Sequence, residues 1–526
     1  MNTSPQLRDA GDAALLLQLE PVIDPTVNAR AIAIADAMKQ RGVPGVRDVV
    51  STFHSVAVYF DPLRADAVAI GAALRDAVAA EPAVMSGRRH EIAVSYGGDN
   101  GPDLEAVAAH AGLTPAEVIE RHARREYRVY MLGFQPGFAY MGLVDPAIAS
   151  PRRASPRLKV AAGSVGIAGR QTGIYPAASP GGWQIIGRAL EPVFDERTSP
   201  PARFAAGDTV AFVPAPPGVA AAPAERVAES PAGLEPVFTV LRPGPFTTIQ
   251  DSGVWGQQGL GFPVGGAMDR VSHAIANAAV GNPAGAAALE VTIGGLELRA
   301  ERPATIAIAG ADLSPKLDMI GIPMHTPVAC PAGSVLRLGS PGRGTRAYLA
   351  VAGGVTNGRR YPVRPLIAGQ AVAVDAVVMR DARAVATHVS PPSGGARLRV
   401  LPGPQEDLLP GRCLDTLCAN RFIVSPQSNR IGYRLTGPAL PAAAGEMISD
   451  ATFPGAVQVT PSGEAILLMA DRQTTGGYPQ VAVVISADLP LAGQLAPGDW
   501  IEFASCSREE ALAALAAQEA MLTDAR

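Results

Sequence analysis

The sequence predicts a mixed α+β protein that consists mainly of β-structure, with a small α/β domain at its N-terminus. Strand and helix patterns alternate over the first 95 residues. After about residue 127, Gly and Pro interrupt short apolar runs every several residues, which is typical of β-barrels and β-sandwiches. A chain of 526 residues is also too long for one hydrophobic core, and therefore about three or four domains are expected.

At the N-terminus the alternating pattern predicts the order βαββαβ, which is the ferredoxin-like arrangement. The first helix is bounded by Asp24 as its N-cap and Gly42 as its stop signal. A second helix is expected to begin at the capping pair Asp61-Pro62 and to run to about Ala80. The four strands are expected at residues 13–19, 46–52, 55–60 and 90–96.

Further helices are predicted in two places. Residues 101–126 carry the pattern of two short helices, the second of which follows Thr114. Glu117 stands three positions after Thr114 and completes the signature of a capping box. Helical periodicity then disappears until residues 507–521, where an Ala- and Glu-rich stretch predicts a C-terminal helix.

Three pairs of similar segments indicate an internal repeat. AGRQTGIYP is nearly repeated as ADRQTTGGYP, and each is followed downstream by a segment of the form GD-x-[VI]-x-F. AGSVGIAG also recurs as AGSVLRLG. The pairs are residues 168–176 and 470–479, 205–212 and 496–503, and 162–169 and 332–339. Chance similarity in a chain rich in Gly and Ala is the alternative, and it is less convincing for two pairs in the same order.

An Ala- and Pro-rich stretch at residues 214–236 separates the copies of this repeat. It has no apolar periodicity and is interpreted as a semi-extended linker between domains. We therefore expect one β-unit to occur once before the linker and about twice after it.

The two related turns contain Gln171 and Thr172 in the first copy and Gln473 and Thr474 in the second. The Gln side chain offers an acceptor and two donors, Thr adds a hydroxyl, and neighbouring glycines allow the backbone to approach a ligand closely. Such a turn is suited to a carboxylate, an amide or a phosphate. The alternative is a tight β-turn whose side chains only satisfy the backbone.

Charged residues stand beside both turns. Arg170 and Arg472 precede the two Gln residues and are expected to pair with an anion. Asp471 is present in the second copy, whereas the first copy has Gly169 in its place. A carboxylate in this position could act as a base or bind a metal ion.

Two other loops are rich in glycine. LGFQPGFAYMG (132–142) predicts a rigid loop that either presents aromatic side chains or covers the core. TIQDSGVWGQQGLGFPVGGAMD (248–269) places Gln250 and Asp251 before a run of glycines, which suggests a phosphate-binding loop. Its spacing does not match the dinucleotide-binding pattern G-x-G-x-x-G, because Val264 stands where a glycine is required.

The composition disfavours several classes of protein and site. The net charge of −4 gives no indication of a nucleic-acid partner. No stretch reaches the roughly 18 apolar residues of a membrane span, and a cytoplasmic location is expected. None of the three lysines lies in a P-loop motif. The seven histidines form no zinc-binding motif, and therefore no metal site is expected. The four cysteines form no CxxC pair, and they are expected to be reduced thiols. Ala37-Met38-Lys39 is similar to a biotin-attachment tripeptide, but it lies in a predicted helix, and no biotin attachment site is expected.

Two regions resemble known bacterial protein families. Residues 127–188 are similar to the B subunit of ATP-dependent 5-oxoprolinase, also called the KipI or allophanate hydrolase subunit 1 family, through YRVYMLGFQPGFAYMG, PRRASPR, AGSVGIAGRQTGIYP and SPGGWQIIGR. Residues 248–480 are similar to the C subunit, the KipA or allophanate hydrolase subunit 2 family, through TIQDSG, GFPVGGAMD, NPAGAAALE, LPGPQEDL, PGAVQV and ADRQTTGGYP. Because the linker at 214–236 falls between these regions, the chain resembles a natural B–C fusion.

The resemblance implies a fold as well as a family. It implies three cyclophilin-like β-barrels after the ferredoxin-like domain, one in the B half and two in the C half. The expected domains are residues 1–88 (ferredoxin-like), 89–213 (first barrel), 237–395 (second barrel) and 396–526 (third barrel with the C-terminal helix). Residues 356–372 depart from the pattern of the C half and are interpreted as a shortened or remodelled loop.

The resemblance also implies an activity. A 5-oxoprolinase opens 5-oxo-L-proline to L-glutamate at the expense of ATP with Mg²⁺, and the chain would do so in a hetero-oligomer with a separate A subunit. Activation of the lactam would fall to the B–C part. Two alternatives remain open: the carboxyltransferase component of a biotin-dependent urea or amide carboxylase, in which the C-like part usually precedes the B-like part, and a regulator that inhibits a histidine kinase.

Particular residues are expected to carry this chemistry. Asp471 is expected to act as a base or a Mg²⁺ ligand, and Asp251 is a second candidate. The other residues are expected to contact the substrate or a phosphate and to close one cleft from both halves. They are Gln473, Thr474, Thr475, Arg472 and Gln250 in the C half, and Gln171, Thr172, Tyr175 and Arg170 in the B half.

Overall fold

The structure is a computed structural model that describes residues 4–80, 87–216, 235–356, 363–374, 381–386, 390–443 and 447–524. Most of its regular structure is β, and the prediction of a mixed α+β protein built mainly from β-structure is confirmed. Most of the predicted linker at 214–236 and part of the remodelled segment at 356–372 lie outside the described residues. Within the described residues, no helix has the length and apolar character needed to cross a bilayer.

The N-terminal domain is a four-stranded antiparallel sheet with two helices on one face. Its elements are β1 (Gln6–Asp9), β2 (Ala14–Gln18), α1 (Pro25–Arg41), β3 (Val46–Ser51), β4 (Ser55–Phe60) and α2 (Ala67–Ala79). The strand order is β1-β2-β4-β3. As predicted, the Asp24 carboxylate caps α1 by accepting hydrogen bonds from the amides of Thr26 and Val27, at 2.7 and 3.1 Å.

Two details of the predicted N-terminal domain are wrong. The strand expected at 90–96 belongs to the next domain, and β1 occupies the sheet edge beside β2 in its place. The second helix begins later than predicted, because its N-cap is Asp66, whose carboxylate accepts the Val68 amide at 2.8 Å. Asp61 instead forms a turn by accepting the Leu63 amide at 3.1 Å.

The second domain is a closed seven-stranded barrel with two short helices between its first two strands. Its elements are β5 (Arg89–Tyr96), α3 (Leu104–Ala111), α4 (Pro115–Ala123), β6 (Glu126–Leu132), β7 (Ala139–Gly142), β8 (Arg157–Val160), β9 (Ser164–Ala168), β10 (Gln171–Ile174), β11 (Ser179–Gly181), β12 (Gln184–Ala189) and β13 (Thr209–Pro214). The barrel order is β10-β7-β6-β13-β5-β12-β9, and β8 and β11 form a separate two-stranded sheet. The predicted capping box between Thr114 and Glu117 is present at the start of α4.

The third domain consists of two sheets that pack on a common core, with one helix against them. Its elements are β14 (Pro236–Pro243), β15 (Phe246–Gln250), α5 (Arg270–Ala279), β16 (Ala288–Thr292), β17 (Leu296–Ala300), β18 (Ala304–Asp312), β19 (Lys316–Leu317), β20 (Ile320–Gly321), β21 (Val328–Cys330), β22 (Val335–Arg337), β23 (Arg343–Val351), β24 (Val355–Thr356) and β25 (Ala371–Val374). The orders are β20-β19-β22-β17-β14-β25-β24 and β15-β16-β23-β18-β21.

The fourth domain is a second closed seven-stranded barrel. Its elements are β26 (Gly395–Pro402), α6 (Cys413–Ala419), β27 (Arg421–Val424), β28 (Gly432–Thr436), β29 (Asp450–Ala451), β30 (Ala456–Val459), β31 (Ala465–Leu468), β32 (Thr475–Gly476), β33 (Gln480–Val484), α7 (Leu489–Ala492), β34 (Trp500–Ser505) and α8 (Arg508–Asp524). The barrel order is β26-β33-β30-β31-β28-β27-β34. The predicted C-terminal helix is α8.

The GD-x-[VI]-x-F segments occupy equivalent positions in the two closed barrels. Each leads into the last barrel strand, which pairs in parallel with the first: β13 with β5, and β34 with β26. In both copies the glycine has a φ of 95°, which favours glycine. The following aspartate, Asp208 or Asp499, accepts the amide of the residue three positions earlier, at 3.0 and 2.8 Å. The repeat predicted from the sequence is confirmed for this segment.

The N-terminal sheet joins the first barrel to the fourth domain. One of its faces packs on its own helices, and the other packs on Phe453, Leu468 and Val483 of the last barrel. Asn28 is fully buried and donates hydrogen bonds to the carbonyls of Thr52 and of Tyr130 in the first barrel, at 3.0 and 2.9 Å. The B half and the C half therefore form one continuous packed unit.

Candidate functional site

A cleft of about 520 Å³ lies between the first barrel and the last barrel. We call its B-half side the aromatic wall, after its five aromatic side chains, and its C-half side the polar wall, after its five side chains that can form hydrogen bonds. The aromatic side chains of the B half are those of Phe134, Phe138, Tyr140, Tyr175 and Trp183, and the hydrogen-bonding side chains of the C half are those of Ser449, Gln458, Gln473, Thr475 and Tyr478. A pocket with apolar walls and a few polar groups is typical of small-molecule sites.

The aromatic wall is built around Phe138. Its ring centroid lies 4.9 Å from that of Tyr140, 5.3 Å from that of Tyr175 and 5.4 Å from that of Trp183, each in an edge-to-face arrangement. Phe134 adds a fourth contact at 5.4 Å. The loop at 132–142 therefore both presents aromatic side chains and covers the core, so that both interpretations of its sequence hold.

The two walls meet at a close contact between Gly133 and Thr475. The Phe134 amide donates a hydrogen bond to the Thr475 hydroxyl at 3.2 Å. A Cβ atom at Gly133 would lie only 2.1 Å from that hydroxyl oxygen, so that any larger residue would push the walls apart. This contact fixes the loop of the B half against the turn of the C half.

The second of the two related Gln-Thr turns (the QT turns, at residues 171–172 and 473–474) supplies part of the polar wall. Gln473 and Thr475 line the cleft. Thr474 lies beneath them, fully buried, and its backbone carbonyl accepts the Thr452 amide at 3.1 Å. Thr474 therefore supports the turn and does not reach the cleft.

Arg472 does not face the cleft, contrary to the expectation that it pairs with a bound anion. It is 1% exposed, and its guanidinium donates to the side-chain oxygen of Gln258 at 2.5 Å. The guanidinium also lies 5.9 Å from the centre of the Tyr59 ring. Burial lowers the pKa of Arg472. The residue joins the turn to the N-terminal domain and the loop at 248–269.

Asp471 also lies outside the cleft and forms a two-point ion pair with Arg430, at 2.8 and 2.9 Å. Arg430 in turn donates to the fully buried Glu290 at 2.5 Å. Burial alone would raise the pKa of Glu290, but the neighbouring Arg430 and Arg346 outweigh it and lower that pKa. The partly buried Asp471 carboxylate therefore completes a charge network between the third and fourth domains whose other members, Arg430 and Glu290, are buried.

The first QT turn makes a different set of contacts. Gln171 pairs in the barrel with Gly142 and Ala168, and Arg170 is exposed. Neither residue lines the cleft, whereas Tyr175, four residues after Gln171, does. The expected shared cleft exists, but in the B half it is formed by Tyr175 and not by the Gln-Thr pair.

Thr172 belongs to a buried hydrogen-bond chain inside the first barrel. Its hydroxyl donates to the Gly166 carbonyl at 3.0 Å and therefore accepts from Nε2 of His122 at 2.9 Å. Nδ1 of His122 then accepts from the hydroxyl of Tyr96 at 2.8 Å. Because burial opposes protonation, the pKa of His122 is lowered to about 3.

The glycine-rich loop at 248–269 is held in place by hydrogen bonds to an acidic side chain of the N-terminal domain, that of Asp48. The Asp48 carboxylate accepts the amides of Gly256 and Gln258, at 3.1 and 3.0 Å. Asp251 accepts the amide of Gly253 at 2.8 Å, and the buried Gln250 donates to the hydroxyl of Thr248 at 3.0 Å. These amides of the suggested phosphate-binding loop are thus already paired, and neither Gln250 nor Asp251 lines the cleft.

Arg152, Tyr140 and Trp183 line the cleft but were not predicted from the sequence. Arg152 belongs to PRRASPR, which carries three arginines within seven residues of a chain with three lysines. This density of arginine was a signal for the cleft, but nothing in the sequence distinguishes Arg152 from its neighbours.

The donor groups of the cleft were compared with those required by Mg²⁺. Protein sites for this ion use one or two carboxylates. The cleft residues within the described part of the chain include no Asp or Glu. The described residues also contain no group of three or more His, Cys, Asp or Glu that could hold a metal ion. The cleft therefore does not fit Mg²⁺.

Comparisons with known proteins cover most of the chain. The carboxyltransferase domain, subdomain C and D, matches residues 5–204, and the carboxyltransferase domain, subdomain A and B, matches residues 260–505. The crystal structure of TTHA0988 is similar with a TM-score of 0.84 and 35% identity, covering 94% of this chain and 99% of that one.

Three relatives are similar to parts of this chain. The 5-oxoprolinase B subunit of Bacillus subtilis is 40% identical over 220 residues, which is 40% of this chain and 92% of that protein. The 5-oxoprolinase C subunit of Escherichia coli K12 is 35% identical over 297 residues, which is 53% of this chain and 94% of that protein. A putative urea carboxylase of Emericella nidulans is 32% identical over 315 residues, but this is only 25% of that protein.

The buried His122 predicts a specific dependence of stability on pH. In the unfolded chain a histidine takes up a proton near pH 6.5, whereas folded His122 does so only near pH 3. Its contribution to the free energy of unfolding is therefore present above pH 6.5 and is lost as the pH falls toward 3, by at most about 1.4 kcal/mol per pH unit. In His122→Gln this loss should be shallower when urea unfolding is followed from pH 7 to 4.

The matched control is His110→Gln, since His110 is exposed and should leave the profile unchanged. Equal profiles for the wild type and His122→Gln would contradict a neutral buried His122.

Proposed function

The chain belongs to the family of 5-oxoprolinase B and C subunits, joined here in one polypeptide, and from this premise we propose that it is the B–C component of an ATP-dependent 5-oxoprolinase. With a separate A subunit it would open 5-oxo-L-proline to L-glutamate. The observation that carries this proposal is a cleft that residues of both halves line together. A cleft of this kind explains why the B and C halves would act as a unit.

The chemistry of the cleft supports a small cyclic amide as the ligand. The edge-to-face rings of Phe138, Tyr140 and Trp183 offer an apolar surface for ring methylenes. The Gln473 side chain offers a carbonyl and an NH₂ group, which match the N–H and C=O of a lactam. We therefore assign binding and orientation of the lactam to this cleft.

The requirement for ATP and Mg²⁺ is assigned to the assembled enzyme. A lactam is a poor electrophile because attack on its carbonyl disrupts amide resonance, and phosphorylation of the oxygen would overcome this. Since the cleft has no carboxylate among its described residues to hold Mg²⁺, we propose that groups outside it hold this ion, and the γ-phosphate of ATP would have to reach the lactam oxygen in the cleft. The residues of this chain would bind and orient the lactam for its activation, and ring opening would be completed by the A subunit.

A second candidate is a carboxyltransferase that accepts a carboxyl group from biotin. The description of both matching domains and the urea carboxylase relative favour it. Such an enzyme would need a biotin carboxylase and a carrier protein as partners. The two candidates therefore differ in the partner that restores activity.

Reconstitution with a partner tests the proposed function directly. The purified chain alone is expected to have little or no 5-oxoprolinase activity, and a mixture with its cognate A subunit should release glutamate and ADP from 5-oxoproline and ATP. Robust turnover by the isolated chain would contradict this division of labour. No turnover in the mixture, together with biotin-dependent carboxylation of urea, would favour the carboxyltransferase.

The two Gln residues of the related turns form a matched pair for testing the cleft. Gln473→Ala removes a side-chain amide from the cleft and should lower kcat/KM for 5-oxoproline about 3- to 10-fold, which corresponds to the loss of one hydrogen bond. Gln171→Ala alters a residue outside the cleft and should change kcat/KM by less than about 2-fold. If the effects are reversed, the lactam does not bind in this cleft.

Asp471→Asn separates a catalytic role from a structural role. The geometry predicts a loss of stability of about 1.5–3 kcal/mol, because a charge-assisted pair with the buried Arg430 is weakened, and an unchanged kcat. A base or metal ligand would instead lose about 100-fold in kcat with little change in stability. Urea unfolding and steady-state kinetics on the same preparation distinguish these results, and Asp415→Asn at an exposed pair with Arg412 is the control.

A further inference from the structure

The charges around the cleft are unbalanced. Two arginines, Arg152 and Arg153, line it, and its residues within the described part of the chain include no carboxylate. Guanidinium groups stay charged at all physiological pH values. The cleft is therefore positively charged before any ligand enters.

Arg153 is committed to the structure. It donates to the buried carboxylate of Asp103 at 2.9 Å, which also receives two hydrogen bonds from Arg157, at 2.8 and 2.7 Å, and one from the Ile185 amide at 2.6 Å. Asp103 thus anchors the strand pair β8–β11 to the barrel. These contacts hold Arg153 in place, and they thereby also fix the backbone beside it, to which Arg152 belongs.

Arg152 is available for a ligand. It is exposed, and no hydrogen bond or ion pair links it to another residue within the described part of the chain. Its charge nevertheless reaches the aromatic wall. Burial raises the pKa of Tyr140 and raises that of Tyr175 to about 12, and in both cases Arg152 acts against this rise. Both phenols therefore remain protonated at neutral pH and can donate hydrogen bonds next to a guanidinium.

We infer that Arg152 is the residue by which the cleft prefers a cyclic amide that carries a carboxylate over a neutral one. The inference rests on the proposed function and adds the residue that recognises the carboxylate of the ligand. The carboxylate would bind the Arg152 guanidinium with two parallel hydrogen bonds, while the ring lies on the aromatic wall and its amide faces Gln473. A neutral amide such as urea or an unsubstituted lactam would leave Arg152 without a partner.

Titration calorimetry with two rings tests this inference on the full-length chain. L-5-Oxoproline and 2-pyrrolidinone share the lactam, and only the first has a carboxylate. We expect 5-oxoproline to bind at least about 10- to 100-fold more tightly, which is the range for a charge-assisted hydrogen bond. Arg152→Met should remove this difference and leave the weak binding of 2-pyrrolidinone unchanged, and Arg152→Lys should restore part of it. Arg64→Met, at an exposed arginine of the N-terminal domain, is the control.

Equal binding of the two rings by the wild type, or full selectivity in Arg152→Met, would overturn the inference. The inference would also be overturned if Arg152→Met lost affinity for inorganic phosphate but kept its affinity for 5-oxoproline, because Arg152 would then recognise phosphate. Kinetics in the presence of the A subunit separate this from the proposed function: turnover of 5-oxoproline with an unchanged KM in Arg152→Met refutes the role of Arg152 alone, whereas no turnover by the wild type refutes the proposed function.

Discussion

The burial of the N-terminal sheet on both faces is the constraint on which the rest of the structure depends. One face is covered by α1 and α2, and the other is covered by the last barrel. Polar contacts fix the position of this interface: the Tyr59 hydroxyl donates to the Thr452 carbonyl at 2.8 Å, and Ser55 donates to the buried carboxylate of Asp450. Since Asn28 ties the same domain to the first barrel, one domain contacts both of the barrels that form the cleft.

Charge is distributed unevenly between the interior and the cleft. Buried acids and bases are paired, as with Glu290 and Arg430, because an unpaired buried charge is costly. Amides of the glycine-rich loop are likewise satisfied by Asp48. Against this background the guanidinium of Arg152 is a charge that the described part of the fold does not use. A charge without a structural partner at a concave aromatic surface is most simply explained by a ligand.

Features that depend on local sequence could be predicted, and features that depend on distant contacts could not. The cap of α1 by Asp24 and the capping box at Thr114 involve neighbours in the chain and follow from residue type. The choice between β1 and the strand at 90–96 is made by pairing across the fold, and β1, with Leu7 as its one apolar residue, has no alternating apolar pattern that would predict it. The related GD segments form equivalent strands. The related QT turns do not, because Gln171 begins a barrel strand whereas Gln473 precedes a short strand outside the barrel.

The close contact between Gly133 and Thr475 has a consequence for the assembly of the site. It brings together residues about 340 positions apart, from regions that are separate subunits in other proteins of the family. Separate chains would have to associate to form this contact, so that the fraction of complete clefts would fall on dilution. In a single polypeptide the two walls meet at an effective concentration that covalent linkage sets, typically in the millimolar range. The complete cleft is therefore insensitive to the amount of protein in the cell, and its two walls are always produced in equal numbers.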